Sequence, residues 1–241
     1  MKKIIIGVFS VFLLFSFISC DFFVTSWGSG MQRDLDAALK KESTGDLAKL
    51  AKDPNYASDP KAAGSLLNAL SDKTPNEIES LRPKEKEDIL ALAFTASIPM
   101  NAISEVLKAA QNGEGGSEEE LFNALIDSIT DFDTKVIQTI LNDEEAQLSA
   151  SPDALAGASL ALVAQVLKRE SENLNFDNLE ELFGDESEAI DSNTSISNQS
   201  KEDLKAVKAV LDLFSEGEGE GGREEKLTLF GMSLEVLFGG N

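Results

Sequence analysis

All six prolines of this chain stand at the edge of an apolar-periodic segment, and that punctuation limits the fold more than any other feature. Inside a helix proline removes a backbone donor and clashes with the preceding turn, yet it suits the first helical position. Asp59-Pro60, Thr74-Pro75, Arg82-Pro83, Pro99 and Ser151-Pro152 each stand where a helix would begin, and Pro54 closes the segment Gly45 to Asp53. Thr74 with Glu77 adds the reciprocal pattern of a capping box. Behind these starts the apolar residues recur at helical spacing. Leu66, Leu67 and Leu70 follow Pro60; Ile89, Leu90, Ala93 and Phe94 follow Pro83; Ile103, Val106 and Leu107 follow Pro99. Leu155, Ser159, Leu162, Val163, Val166 and Leu167 follow Pro152.

Segments without proline read the same way. Met31 to Lys41 places Leu35, Ala38 and Leu39 on one face, and Ser117 opens a helix carrying Leu121, Phe122, Leu125 and Ile126. Thr134 to Asn142 carries Val136, Ile137, Ile140 and Leu141, and Ser200 to Ser215 carries Leu204, Val207, Val210 and Leu211. No alternating strand pattern stands before residue 226. The expected fold is therefore all-α, a multi-helix bundle or an irregular helical-repeat superhelix of short amphipathic helices over residues 31–215. Ala63-Gly64-Ser65-Leu66-Leu67 and Ala156-Gly157-Ala158-Ser159-Leu160 match with a one-residue gap, small residues that let helices approach closely, but no fixed period accompanies them.

Gly113 to Gly116 breaks the pattern, and Gly184 to Ser200 is polar and reads as a mobile loop before the last helix. Residues 216–225 form an acidic Gly-rich linker. Residues 226–241 form an apolar tail, in which Lys226 to Phe230 alternates like a strand and Met232 to Phe238 fits two helical turns. The tail either caps the helical body or docks in a groove on a flexible leash, and capping is the favoured expectation.

The first residues carry targeting information. Lys2 and Lys3 precede an uncharged apolar run, Ile4 to Phe17, of about 14 residues, shorter than the roughly 20 a helix needs to cross a bilayer. Small Ser19 and then Cys20 close it. Phe17-Ile18-Ser19-Cys20 resembles the lipobox of bacterial lipoproteins, with Phe17 where that family prefers Leu, a departure reminiscent of spirochaete lipoboxes. The resemblance covers residues 1–20. It implies cleavage between Ser19 and Cys20, removal of the signal peptide 1–19, and lipidation of Cys20. Attachment to a bacterial membrane follows, with two or more acyl chains holding firmly. Residues 20–30 would be the lipidated tether, whose Phe22, Phe23 and Trp27 either sit among headgroups or pack on the domain.

Charge and missing residue types exclude much chemistry. Removing residues 1–19 takes away two lysines and no acid, so the formal charge of −22 becomes −24. Such a chain does not release counterions from a phosphate backbone, and Arg33, Arg82, Arg169 and Arg223 are scattered, so no nucleic-acid partner is expected. There is no histidine and Cys20 is the single cysteine, which removes the usual general base, the common transition-metal ligand, and any Ser-His-Asp triad or disulfide. Asp127, Asp131 and Asp133 with Asp143, Glu144 and Glu145 lack the turn Gly and terminal Glu of a calcium loop and read as solvated, as do Asp185, Glu186, Glu188 and Asp191. No catalytic residue, metal ligand or cofactor is expected, and the chain is not expected to be an enzyme. The expected role is a lipid-anchored envelope protein, periplasmic or surface-exposed, whose helical domain binds another envelope protein. The alternative is a ligand-binding lipoprotein serving a transporter, with unassigned ligand residues.

Overall fold

The computed structural model describes residues 32–97, 126–171 and 189–215, with the strand residues 228–229 and 232–233. The leader with Ser19 and Cys20, the tether, the segments begun by Pro99 and Ser117 up to residue 125, the breaks at 113–116 and 184–188, and the linker 216–225 lie outside these residues.

The described body is all-α. In chain order it holds α1 (Gln32–Leu39), α2 (Thr44–Leu50), α3 (Pro54–Ala57), α4 (Pro60–Ser71), α5 (Pro75–Glu79) and α6 (Pro83–Ser97). Then follow α7 (Lys135–Leu141), α8 (Glu144–Ser149), α9 (Pro152–Arg169), α10 (Ala189–Ser192) and α11 (Asn198–Ser215). Helix starts are built as the sequence indicates. Pro54, Pro60, Pro75 and Pro152 each occupy the first turn, and the residue before each proline accepts a hydrogen bond from a backbone N–H ahead of it. At α5 the capping box closes in both directions, Thr74 N–H donating to Glu77 Oε2 at 3.0 Å and Glu77 N–H to Thr74 Oγ1 at 3.4 Å. Glu85 does the related job at α6, accepting from the Arg82 backbone N–H at 3.0 Å and from its guanidinium at 2.6 Å.

Three elements differ from expectation. α2 ends at Leu50, and Pro54 opens α3 rather than merely closing α2, because Asp53 caps the Asn55 N–H at 2.9 Å. Within Gly184 to Ser200, residues from 189 onward are not a free loop: α10 and the start of α11 occupy them, and Ile190 and Ile196 are buried. In the tail, the alternating stretch does form a strand, β1 (Thr228–Leu229). Met232–Ser233 is β2, not a helical turn, paired antiparallel with Leu229 opposite Met232.

The four long helices stack in chain order, α4 on α6, α6 on α9 and α9 on α11. α1, α2 and α3 cover α4, and β1 lies alongside α9. One hydrophobic cluster runs through the stack from Leu39 to Val210. α7 is the exception to the row: short as it is, it touches α4, α6, α9 and α11, and buries Val136, Ile137, Ile140 and Leu141 among them. Of the glycines in the two related segments, the one in α9 has a packing role: a Cβ on Gly157 would stand 3.3 Å from Phe94 Cβ of α6, whereas a Cβ on Gly64 of α4 would meet Thr130 to Phe132 at ordinary contact distances.

Overpacking a helix crossing costs about 1–3 kcal/mol, so Gly157→Leu lowers the thermal midpoint by several degrees. Gly45, also helical but with open space around it, gives the opposite sign: Gly45→Ala raises stability by up to about 1 kcal/mol. Thermal melts of the two variants check both, and a tolerated Gly157→Leu would mean that α6 and α9 are not in close contact.

Candidate functional site

Polar side chains gather at three places on this scaffold. The largest gathering follows residues 129–141, the segment that leads into and forms α7. Its backbone crosses the helix stack where no regular ladder can satisfy it, and buried polar groups require partners. Side chains supply them. In α4, Asn68 Oδ1 accepts from the Asp133 N–H at 2.6 Å, and the Ser71 hydroxyl donates to the Asp133 carbonyl at 2.8 Å while accepting from the Val136 N–H at 3.1 Å. At the end of α6, the Ser97 carbonyl accepts from the Thr130 N–H at 3.3 Å. From α9, Gln165 Nε2 donates to the Thr130 carbonyl at 2.8 Å and to Ser97 Oγ at 3.3 Å, and Lys168 donates to the Ile129 carbonyl.

The far end of the same segment meets α11. Asp203 is wholly buried there, accepting from Gln138 Nε2 of α7 at 2.6 Å and from Arg169 of α9 at 2.9 Å. Arg169 also donates to Ser200 Oγ at 3.0 Å, Ser200 donates to Glu170 at 2.6 Å, and the Ser197 N–H donates to the same carboxylate at 3.0 Å. Gln199 Nε2 closes the group on Thr134 Oγ1 at 3.0 Å. The two carboxylates respond oppositely to this surrounding. Burial pushes Asp203 above its usual range and outweighs the bonds from Thr134, Arg169 and Gln138. Burial also pushes Glu170 upward, but the hydrogen bonds from Ser197 and Ser200 win and hold it below.

The second gathering is a buried ion pair. Lys86 of α6 is 2 % exposed and bonds to Asp143. Asp143 also caps α8, accepting from the N–H groups of Glu145 at 3.0 Å and Ala146 at 3.3 Å. Burial raises its carboxyl, while Lys86 and the capping amides outweigh that and leave it low. Asp143 is thus not the solvated residue its acidic neighbourhood suggests. Of the other acidic residues singled out, Asp131 stays largely exposed beside Lys168 at 3.2 Å, Asp133 accepts from the Lys135 N–H at 3.0 Å, and Asp191 pairs with Lys205 at 2.6 Å. Among the described residues no three carboxylates converge in a way that would hold a metal ion.

The third place is a shallow cleft of about 230 Å³ where α2 and α3 meet α6, with Lys52 on one rim and Asp88 on the other. Ala51, Ala57, Ala91, Leu92 and Thr95 complete its walls. The sequence offers a weak signal for it, Ala91-Leu92 beside the core pair Ile89-Leu90. The buried cluster around Asp203 could have been suspected from polar residues interrupting the apolar face of a helix, Gln165 between Ala164 and Val166 foremost.

No family model matches the chain, and neither the curated proteins nor the solved structures contain a significant match.

Two consequences are measurable. A carboxyl with a raised folded pKa gains stability as pH falls through that value, and one with a lowered pKa loses it as pH falls from its unfolded value, ordinarily 4.5 for glutamate, through its folded value. In melts from neutral pH downward, Asp203→Asn therefore loses stability more steeply than the native chain, and Glu170→Gln less steeply. Parallel curves for all three would contradict these assignments. At the second gathering, Asp143→Ala strands the Lys86 charge and uncaps α8, costing about 3–5 kcal/mol. Lys86→Met leaves only the partly exposed carboxylate and costs less than half as much, as denaturant titrations of the two variants would read out.

Proposed function

We propose that this chain is a lipid-anchored protein of a bacterial cell envelope, periplasmic or surface-exposed, whose acidic helical body is a protein-interaction or structural module without catalytic chemistry of its own. The observation that carries the reading is the arrangement of Lys2, Lys3, the run Ile4 to Phe17, Ser19 and Cys20. Charge, apolar length, small residue and cysteine agree in position with a lipoprotein signal. Cleavage before Cys20 and its acylation make attachment the one chemical role assigned to a residue.

The body supports an interaction role in two ways. Its buried charged and amide side chains among the described residues are spent on holding helices together: Asp203, Glu170, Gln165 and Lys86 all bond to partners within the fold, while the buried Ser159 hydroxyl is left without one. The cleft at α6, about 230 Å³, falls below the roughly 300–1,000 Å³ of pockets that enclose drug-sized ligands. That favours contact with a macromolecule over the carriage of a solute to a transporter. The strongly negative charge disfavours nucleic acid as the partner.

Cys20→Ser removes the acylated thiol. Expressed in a bacterial host, the native protein partitions into the detergent phase of a cloud-point extraction and incorporates labelled fatty acid, and the variant loses the label. A Cys20→Ser variant with undiminished fatty-acid incorporation would sink the anchor.

A further inference from the structure

The long helices stack in chain order, so a charge gradient along the sequence becomes one across the molecule. Residues 32–73, which form α4 and the three helices covering it, hold seven basic and seven acidic residues. Residues 172–241, which include α10 and α11 at the other end of the row, hold five and seventeen. The two ends also use their charges differently. In the first layer Lys41, Lys52 and Lys61 are exposed and make no ion pair with any described residue. Most acids there are already committed: Asp46 pairs with Lys49 at 2.7 Å, Asp72 pairs with Lys40 at 3.3 Å, and Asp53 and Asp59 cap α3 and α4. Asp36 and Glu42 stay exposed. At the far end it is the cations that are committed, Lys205 to Asp191 at 2.6 Å and Lys208 to Asp212 at 3.0 Å. Residues 172–188, which join α9 to α10, hold seven acids and no base.

We propose that the layer of α1 to α4 is the face this protein lays against an anionic lipid bilayer, with Lys41, Lys52 and Lys61 toward the headgroups and the acidic end at α10 and α11 turned away. This orientation rests on the lipid anchor at Cys20 proposed above. Residues 21–31 separate Cys20 from α1, and at about 3.3–3.6 Å per residue they reach no more than about 40 Å. The layer next to the tether is therefore held at high effective concentration beside the surface, where a weak attraction decides the orientation. An anionic surface attracts free lysines and repels carboxylates, both within a Debye length of about 10 Å. Packed helices stand about 8–10 Å apart. With the α1–α4 layer nearest the bilayer, α9 and α11 lie two and three packing steps beyond α4, and their acids escape the repulsion. The reverse placement would bring seventeen acids and five bases into that zone. A basic protein partner would choose the acidic end, so the balanced layer with free lysines fits the lipid surface beside its own tether.

The test uses the full chain, made in a bacterial host with labelled fatty acid and placed in vesicles through its own lipid. Vesicles of phosphatidylcholine are compared with vesicles of an equal mixture of phosphatidylcholine and phosphatidylglycerol. Hydrogen exchange followed by mass spectrometry reads residues 40–61 against 198–215. The expected result is exchange at least threefold slower over 40–61 on the anionic vesicles, with no slowing over 198–215. Molar salt, which shortens the Debye length to about 3 Å, removes the effect. Lys41→Glu, Lys52→Glu and Lys61→Glu together abolish the slowing while the melting temperature stays within a few degrees, since all three positions are exposed. Arginine at the same three positions retains it. Equal exchange on the two kinds of vesicle, slowing at 198–215 instead, or slowing that survives the three glutamates would each overturn the orientation while the fatty-acid label keeps the anchor standing. A chain without the label overturns the anchor, and the orientation with it.

Discussion

Residues 129–141 hold this fold together because, among the described residues, they are the one segment that bonds to every long helix in the stack. Asn68 and Ser71 take hold of it from α4, Ser97 from α6, Gln165 and Lys168 from α9, and Asp203 and Gln199 from α11. Hydrophobic burial is non-directional and would allow the same amphipathic helices several packings. Hydrogen bonds to a crossing backbone are directional, and an unmade one in a dry core is expensive. The polar groups thereby choose among the arrangements that burial alone would allow. The apolar stripes of α4, α6, α9 and α11 supply the driving force, and the crossing segment supplies the register.

The same division decides what was legible in the sequence. Helices that open with a capped proline could be read because the signal is local: Asp59-Pro60, Thr74-Pro75 and Ser151-Pro152 carry their caps within three residues. The two Gly-containing stretches were visible as small-residue clusters, and the one at Gly157 does meet a close neighbour. What escaped is non-local or short. α8, Glu144–Ser149, has one buried apolar residue and no period to detect. Asp143 looks like one acid among several, and its burial depends on Lys86, 57 residues away. Met232–Ser233 fits a helix by composition, and pairing with Thr228–Leu229 decides otherwise. The cleft beside α6 left only the weak signal of Ala91-Leu92, since it exists only where α2 and α3 end beside that helix.

Acidity and architecture are also connected. A chain at −22 repels itself, and the fold answers by turning carboxylates toward donors it already needs. Asp53, Asp59 and Asp143 sit on helix N-termini, where a negative charge is favoured and free N–H groups need acceptors. Glu77 and Glu85 do so from within the first turn. These five acids are thus part of the helix punctuation.

The crossing segment sets an order on how the chain reaches its native state. Its bonds to the long helices join residues 33 to 65 positions apart, Ser97 to Thr130 at one extreme and Gln138 to Asp203 at the other, and the last partners along the chain are Gln199 and Asp203. Single helices can form as soon as their own residues are free, and of the bonds to the crossing segment those from α11 come last along the chain, because loop closure must precede the bonds that reward it. A chain cut before Asn198 would keep the bonds from α4, α6 and α9 but leave Gln138 and Thr134 without their partners on α11.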